Sequence, residues 1–139
     1  VLRMYPPVWI SGRQAAVNCE LGGFRIPAGA LVMASQYVVH RDPRFFPDPE
    51  RFDPERWTPE AEARRPRHSF FPFSAGVRSC LGESFAWLEA ILILAVIARQ
   101  WRLRVTPGTR VKAYPGVVLR PKDGLSMTAH RRNHDGIRL

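Results

Sequence analysis

The sequence predicts an α+β fold. Three textures carry that prediction: β-prone pieces near both ends, one uninterrupted helix late in the chain, and a proline-dense stretch that can be neither. From about Arg13 to Ala34, Ala15, Ala16 and Val17 run up to a Leu21-Gly22-Gly23 turn. Phe24 to Pro27 and Leu31 to Ala34 then read as short strands broken by Pro27-Ala28-Gly29. From Pro43 to Pro72, the chain is also broken by Pro47, Pro49, Pro54, Pro59 and Pro66. Each proline removes a backbone donor and restricts the residue before it, so neither a long helix nor a central strand persists there. Phe45, Phe46, Phe52, Trp57, Phe70 and Phe71 are interleaved, which predicts a packed, irregular meander rather than a linker.

Glu83 to Gln100 reads as a helix. It contains good helix formers and no Gly or Pro, with Glu83 at its start and Arg99 near its end to suit the macrodipole. Residues 90–98 are apolar on every face, which predicts burial in a larger body. Beyond it, Leu103 to Val105, Val117 to Leu119 and Leu125 to Met127 read as short β pieces between Pro-Gly and Asp-Gly turns.

Size and charge set bounds. The chain has 139 residues and 45% apolar side chains, enough for one modest domain and unlike a disordered composition. Its net charge is +9, unevenly spread: residues 1–62 carry seven basic and eight acidic side chains, residues 63–139 fourteen and four. The basic second half suggests an acidic partner or surface. Two cysteines, Cys19 and Cys80, are too few for a disulfide framework. The apolar run Ala90 to Ala98 is far shorter than the ~20 residues of a membrane span. No signal peptide and no internal repeat are visible.

The chemistry concentrates in Phe73-Ser74-Ala75-Gly76-Val77-Arg78-Ser79-Cys80-Leu81-Gly82. A cysteine just before a helix start feels the positive end of the dipole and unpaired N–H groups, which favour the thiolate. Arg78 adds a fixed positive charge, Phe73 can shield the sulfur, and Gly76 and Gly82 permit positive φ or close approach of a large flat group. With no second Cys or His nearby this is a poor zinc site but a suitable single axial ligand for a metal held mainly by a porphyrin.

This segment meets every fixed position of Phe-x-x-Gly-x-Arg-x-Cys-x-Gly and resembles the haem-ligand signature of the cytochromes P450. Arg41-Asp42-Pro43, followed by Phe52-Asp53-Pro54-Glu55-Arg56-Trp57, resembles that family's meander. Leu2-Arg3-Met4-Tyr5-Pro6-Pro7 resembles the end of its E-x-x-R helix, and the matching glutamate would fall one position before Val1. The resemblance runs to about His130. It implies the C-terminal part of the P450 fold over residues 1–130, incomplete and without the distal helix, and a basic flexible tail over 131–139.

The resemblance also implies roles. Cys80 is the ligand to the iron of haem b, with backbone N–H groups around Leu81 and Gly82 tuning it. Arg78 and Arg13 anchor the propionates. Arg3 and Arg56 belong to a Glu-Arg-Arg triad, with Arg51 as the competing candidate for Arg56. Val8, Trp9, Val117 and Val118 line the substrate pocket; His40 and His68 are candidates for hydrogen bonding near the haem or the surface, or are structural. The implied activity is monooxygenation of a small apolar organic substrate with dioxygen. Electrons come from an acidic ferredoxin or flavoprotein reductase docking on a basic face that includes Arg64, Arg65 and Arg67.

A peroxide-driven peroxygenase of the same fold and a non-functional remnant are alternative readings. A basic nucleic-acid-binding module is a distant one: no such motif is present, and nucleic acid is not an expected partner. A cytoplasmic location is expected. These residues alone are expected to fold poorly, bind haem weakly and hydroxylate nothing.

Overall fold

The computed structural model describes residues 1–132, and the chain divides into two compact units. The first comprises Val1–Ser79 with Pro115–Leu119, the second Cys80–Tyr114 with the chain from Arg120 onward.

In the first unit, β1 (Ser11–Gln14) pairs antiparallel with β4 (Leu31–Ala34), Ser11 opposite Ala34 and Gln14 opposite Leu31. Between them, β2 (Cys19–Leu21) and β3 (Phe24–Ile26) form a hairpin closed by Gly22 and Gly23. Both glycines have positive φ, 59° and 83°, as the two-residue turn of a twisted hairpin requires. The β region read from about Arg13 opens at Ser11, and Ala15 to Val17 lie outside any strand. Ala15 closes the β1–β4 ladder, its N–H donating to Ala30 O and its carbonyl accepting from Gly29 N. The chain then bends away, with Asn18 Oδ1 accepting from Ala28 N.

Ser35 caps the short helix α1 (Gln36–Val39) by accepting from Val38 N. The meander that follows is irregular but closely hydrogen-bonded. Asp53 caps a 3-10 turn at Pro54–Trp57 and Thr58 caps α2 (Pro59–Arg64), each with proline in the first turn, where its missing donor costs nothing. Proline thus shortens the helices here without abolishing them.

The core of this unit is small and polar. Its buried residues are Phe46, 1% exposed, with Arg3, Pro6, Gln36, His40, Ser69 and Pro72. The Arg3 guanidinium lies 5.3 Å from the Phe46 ring centroid, and Arg65 approaches the same ring to 5.3 Å and Trp57 to 4.4 Å. Arg3 Nη1 donates to His40 O at 2.9 Å and Nη2 to Arg51 O at 3.2 Å.

In the second unit, α3 spans Glu83–Gln100, the bounds its sequence predicts. Within the described residues no residue of α3 is buried, and Ile91, Leu92, Ile93, Leu94 and Val96 are all more than half exposed. β5 (Trp101–Val105) follows at once and pairs antiparallel with β8 (Met127–Arg131). Leu103 opposes Ala129 and Val105 opposes Met127 on one face; Arg102 opposes His130 on the other. Arg131, placed in the tail by its sequence, pairs with Trp101; residues 133–139 of that tail lie outside the described residues. β6 (Ala113–Pro115) and β7 (Leu119–Pro121) form a further two-stranded sheet. Val117 and Val118, read as strand, occupy the bend between them, because the β6–β7 turn falls there. Among the described residues no helix is long and apolar enough to cross a membrane.

Replacing Arg3 by Lys retains the charge but not the planar fork, so one carbonyl of His40 or Arg51 loses its donor. A stability loss of about 1–3 kcal/mol is expected, read as a lower denaturant midpoint at unchanged slope.

Candidate functional site

The boundary between the two units falls at Ser79–Cys80, inside the segment singled out by its motif. On the first-unit side, Ser74 N donates to Phe71 O and Ser74 takes φ 67°. Gly76, Val77 and Arg78 then form a 3-10 turn closed by Ser79 N to Gly76 O at 3.0 Å. Gly76 has φ 73°, a region that penalises any side chain even though the space around it is open. Phe73 is half-buried and Arg78 exposed.

On the second-unit side, Cys80 and Leu81 lead into Gly82, the N-cap of α3, and no side chain caps the helix. Its first N–H groups therefore remain available beside a thiol that is free and exposed. A Cβ on Gly82 would sit 3.9 Å from Cys80 Sγ, so glycine leaves the sulfur's flank clear. Val77 (102%) and Leu81 (105%), either side of Cys80 in sequence, are completely exposed. Cys19, the other cysteine, is also free, on β2.

The remaining sequence-predicted residues fall into three places in the first unit. Arg13 lies exposed on β1, its Nη1 donating to Gly12 O. The Val8-Trp9 stretch and the Val117-Val118 stretch come together: Trp9 Nε1 donates to Gly116 O at 2.9 Å and Leu119 N to Pro7 O at 2.8 Å. The third place is an arginine cluster behind Phe46. Arg56 Nη2 donates to Asp48 O, while its buried Nε has no partner. The Arg3 pKa is pulled below its ordinary value, first by burial and then by the positive charges of Arg56 and Arg41, with Glu50 opposing. Arg51 contributes its backbone carbonyl to Arg3 and leaves its side chain exposed, while Arg56, with Arg41 and Arg65, is among the cations that repel Arg3.

The three arginines expected to form one basic face do not behave alike. Arg64 and Arg67 are exposed. Arg65 turns inward over Trp57 and Phe46 and donates to Arg56 O, because the aromatic rings at the end of α2 offer a better seat than water. His68 is exposed with φ 63°. His40, read as a hydrogen-bonding or structural histidine, is fully buried at the junction with Arg3. The sequence holds no periodic signal for that burial, since α1 is a single turn.

The family model described as "Cytochrome P450" matches residues 1–128. The chain belongs to the cytochrome P450 family. It is 44% identical over 128 residues to "Cyclooctatin synthase" of Streptomyces melanosporofaciens, covering 92% of this chain and 26% of that protein. It is 47% identical over 108 residues to "Cyclooctat-9-en-7-ol 5-monooxygenase" of the same organism, covering 78% and 24%. Among solved structures it resembles retinoic acid-bound cyanobacterial CYP120A1, with a TM-score of 0.89, 37% identity, and coverage of 94% of this chain and 31% of that one. The chain thus spans about a quarter of the length of the curated P450 relatives it matches.

The P450 family implies haem, and the loop's donor chemistry fits it. Cys80 offers one free, exposed sulfur, which suits an iron that brings its other ligands with it. The wholly exposed aliphatic side chains of Val77 and Leu81 suit an apolar face that would cover them.

Gly76→Ala should cost about 1 kcal/mol or more through strain at positive φ rather than through a clash. Haem retention of the full-length protein should fall while the denaturant slope stays unchanged, as titration against apomyoglobin would measure.

Proposed function

We propose that the full-length protein is a haem-thiolate monooxygenase that inserts one atom of dioxygen into an apolar organic substrate. One observation carries this reading: Cys80, a free thiol at the uncapped start of α3, flanked in sequence by exposed Val77 and Leu81, within a complete P450 signature. One relative named as a monooxygenase and the retinoic acid in one solved neighbour support the reaction class and an apolar substrate.

Haem b, when bound, supplies the activation of dioxygen. In this chain Cys80 Sγ would ligate the iron, and the backbone N–H groups at Leu81 and Gly82 would moderate the basicity of the sulfur. Arg78 and Arg13 would hold the propionates as charge-assisted pairs. The paired Val8-Trp9 and Val117-Val118 stretches would present apolar side chains to substrate, with the indole N–H already committed to Gly116 O. Behind the site, Arg3 and Arg56 would share an upstream carboxylate. The orphaned Nε of Arg56 and the mutual repulsion of these cations support such a partner, since unpaired buried charge is costly. Exposed Arg64 and Arg67 would form part of the docking face for an acidic electron donor; Arg65, engaged internally, is left out of it.

The reduced, carbon monoxide-bound full-length protein is expected to show a strongly red-shifted Soret band that Cys80→Ala abolishes; a band that survives the substitution would sink the assignment. Reversing the charge at Arg64 and Arg67 together should slow reduction by an acidic donor by roughly 10-fold at low salt, with the difference shrinking as salt rises. Stopped-flow reduction rates would show it.

A further inference from the structure

His40 stands where three stretches of the first unit meet. Its carbonyl accepts from Arg3 Nη1, and its ring Nε2 accepts the backbone N–H of Phe71 at 2.9 Å. The Phe70 and Phe71 rings lie 4.9 and 5.3 Å from the imidazole, centroid to centroid. An imidazole that accepts at Nε2 carries its proton at Nδ1 and is neutral. Phe71 is engaged on both sides of its backbone: its N–H by His40, its carbonyl by Ser74 N, which opens the turn into the Cys80 loop. The next residue, Pro72, is buried and has no N–H to offer a second anchor.

We propose that His40 is a positioning residue whose Nε2, by holding the Phe71 N–H, fixes the start of the Phe73–Gly82 loop and so governs how firmly the protein retains thiolate-ligated haem. This rests on the haem-thiolate reading of Cys80. The cause is geometric: this acceptor joins the Arg3 junction to the backbone entering the loop.

Burial pulls the His40 pKa down to about 4, assisted by the positive charges of Arg3 and Arg41 and opposed by the Arg3 and Leu2 backbone carbonyls, which complete no hydrogen bond to Nδ1. Arg3 and Arg41 are the charged groups facing the ring; Phe70 and Phe71 bring none. Protonation would turn Nε2 into a donor aimed at another donor and break the anchor. Because the folded pKa lies below the unfolded value of 6.5, the contribution is present above 6.5 and is lost as pH falls from there through about 4.

The test uses the full-length holoprotein with His40→Gln, His40→Asn and His40→Phe. Glutamine can place an acceptor about where Nε2 lies; asparagine reaches only as far as Nδ1, and phenylalanine keeps the ring without an acceptor. The Asn and Phe variants should lose the red-shifted carbon monoxide band on the order of 10-fold faster than wild type, the effect of one buried donor left unpaired. The Gln variant should hold the band at the wild-type rate and shift its acid-induced loss to lower pH. Equal retention in all four proteins, or Gln no better than Asn, would overturn the proposal. If the Phe variant fails to fold, the comparison of Gln with Asn decides it. Phe71 amide exchange should be slow in wild type and Gln and faster in Asn; equal rates would also overturn it. Cys80→Ala separates the two readings: if wild type itself lacked the band, the haem-thiolate reading would fall, while Phe71 exchange would still judge His40.

Discussion

A buried guanidinium organises the first unit. Arg3 bridges two backbone carbonyls far apart in sequence, at His40 and Arg51, and lies against Phe46. Apolar burial here is slight, so the fold of residues 1–79 leans on directional bonds to main chain more than on a hydrocarbon core. The meander follows from that. Proline keeps it from forming longer helices, Asp53 and Thr58 cap what helix remains, and Arg65 lies over Trp57 and Phe46.

The second unit is built the other way. Its ladder of β5 and β8 is regular and its helix long, yet its apolar side chains stay uncovered within the described residues. The family relationship gives this a physical reading, since the chain accounts for about a quarter of the curated relatives it matches. The Cys80 loop is where these two styles join. Its fixed positions serve both: Gly76 for a positive φ on one side, Gly82 for clearance of the sulfur on the other.

The sequence made local chemistry legible and side-chain partnership much less so. Helix α3 was readable to its end residues because nothing in Glu83 to Gln100 competes with helical backbone, and the two-glycine hairpin was readable because that turn demands positive φ twice. The Cys80 motif was readable because its residue types are scarce in that order. Ala15 to Val17 read as part of a β region, but β1 ends at Gln14, where its ladder with β4 closes. Val117 and Val118 look like strand by propensity, but the β6–β7 turn takes them. Arg65 looked like its neighbours Arg64 and Arg67 because a charge pattern does not say which arginine has a tryptophan beneath it.

Because residues 90–98 of α3 are apolar on every face, that stretch has no wet side to fix how far the helix is turned about its own axis. That angle has to be set by shape alone, by where the small residues Ala86, Ala90, Ala95 and Ala98 leave room and where Leu92, Ile93 and Leu94 do not. Cys80 precedes the first turn of this helix, so the direction of its sulfur is tied to the angle at which α3 comes to rest. Side-chain volumes along α3 thereby bear on where that sulfur points.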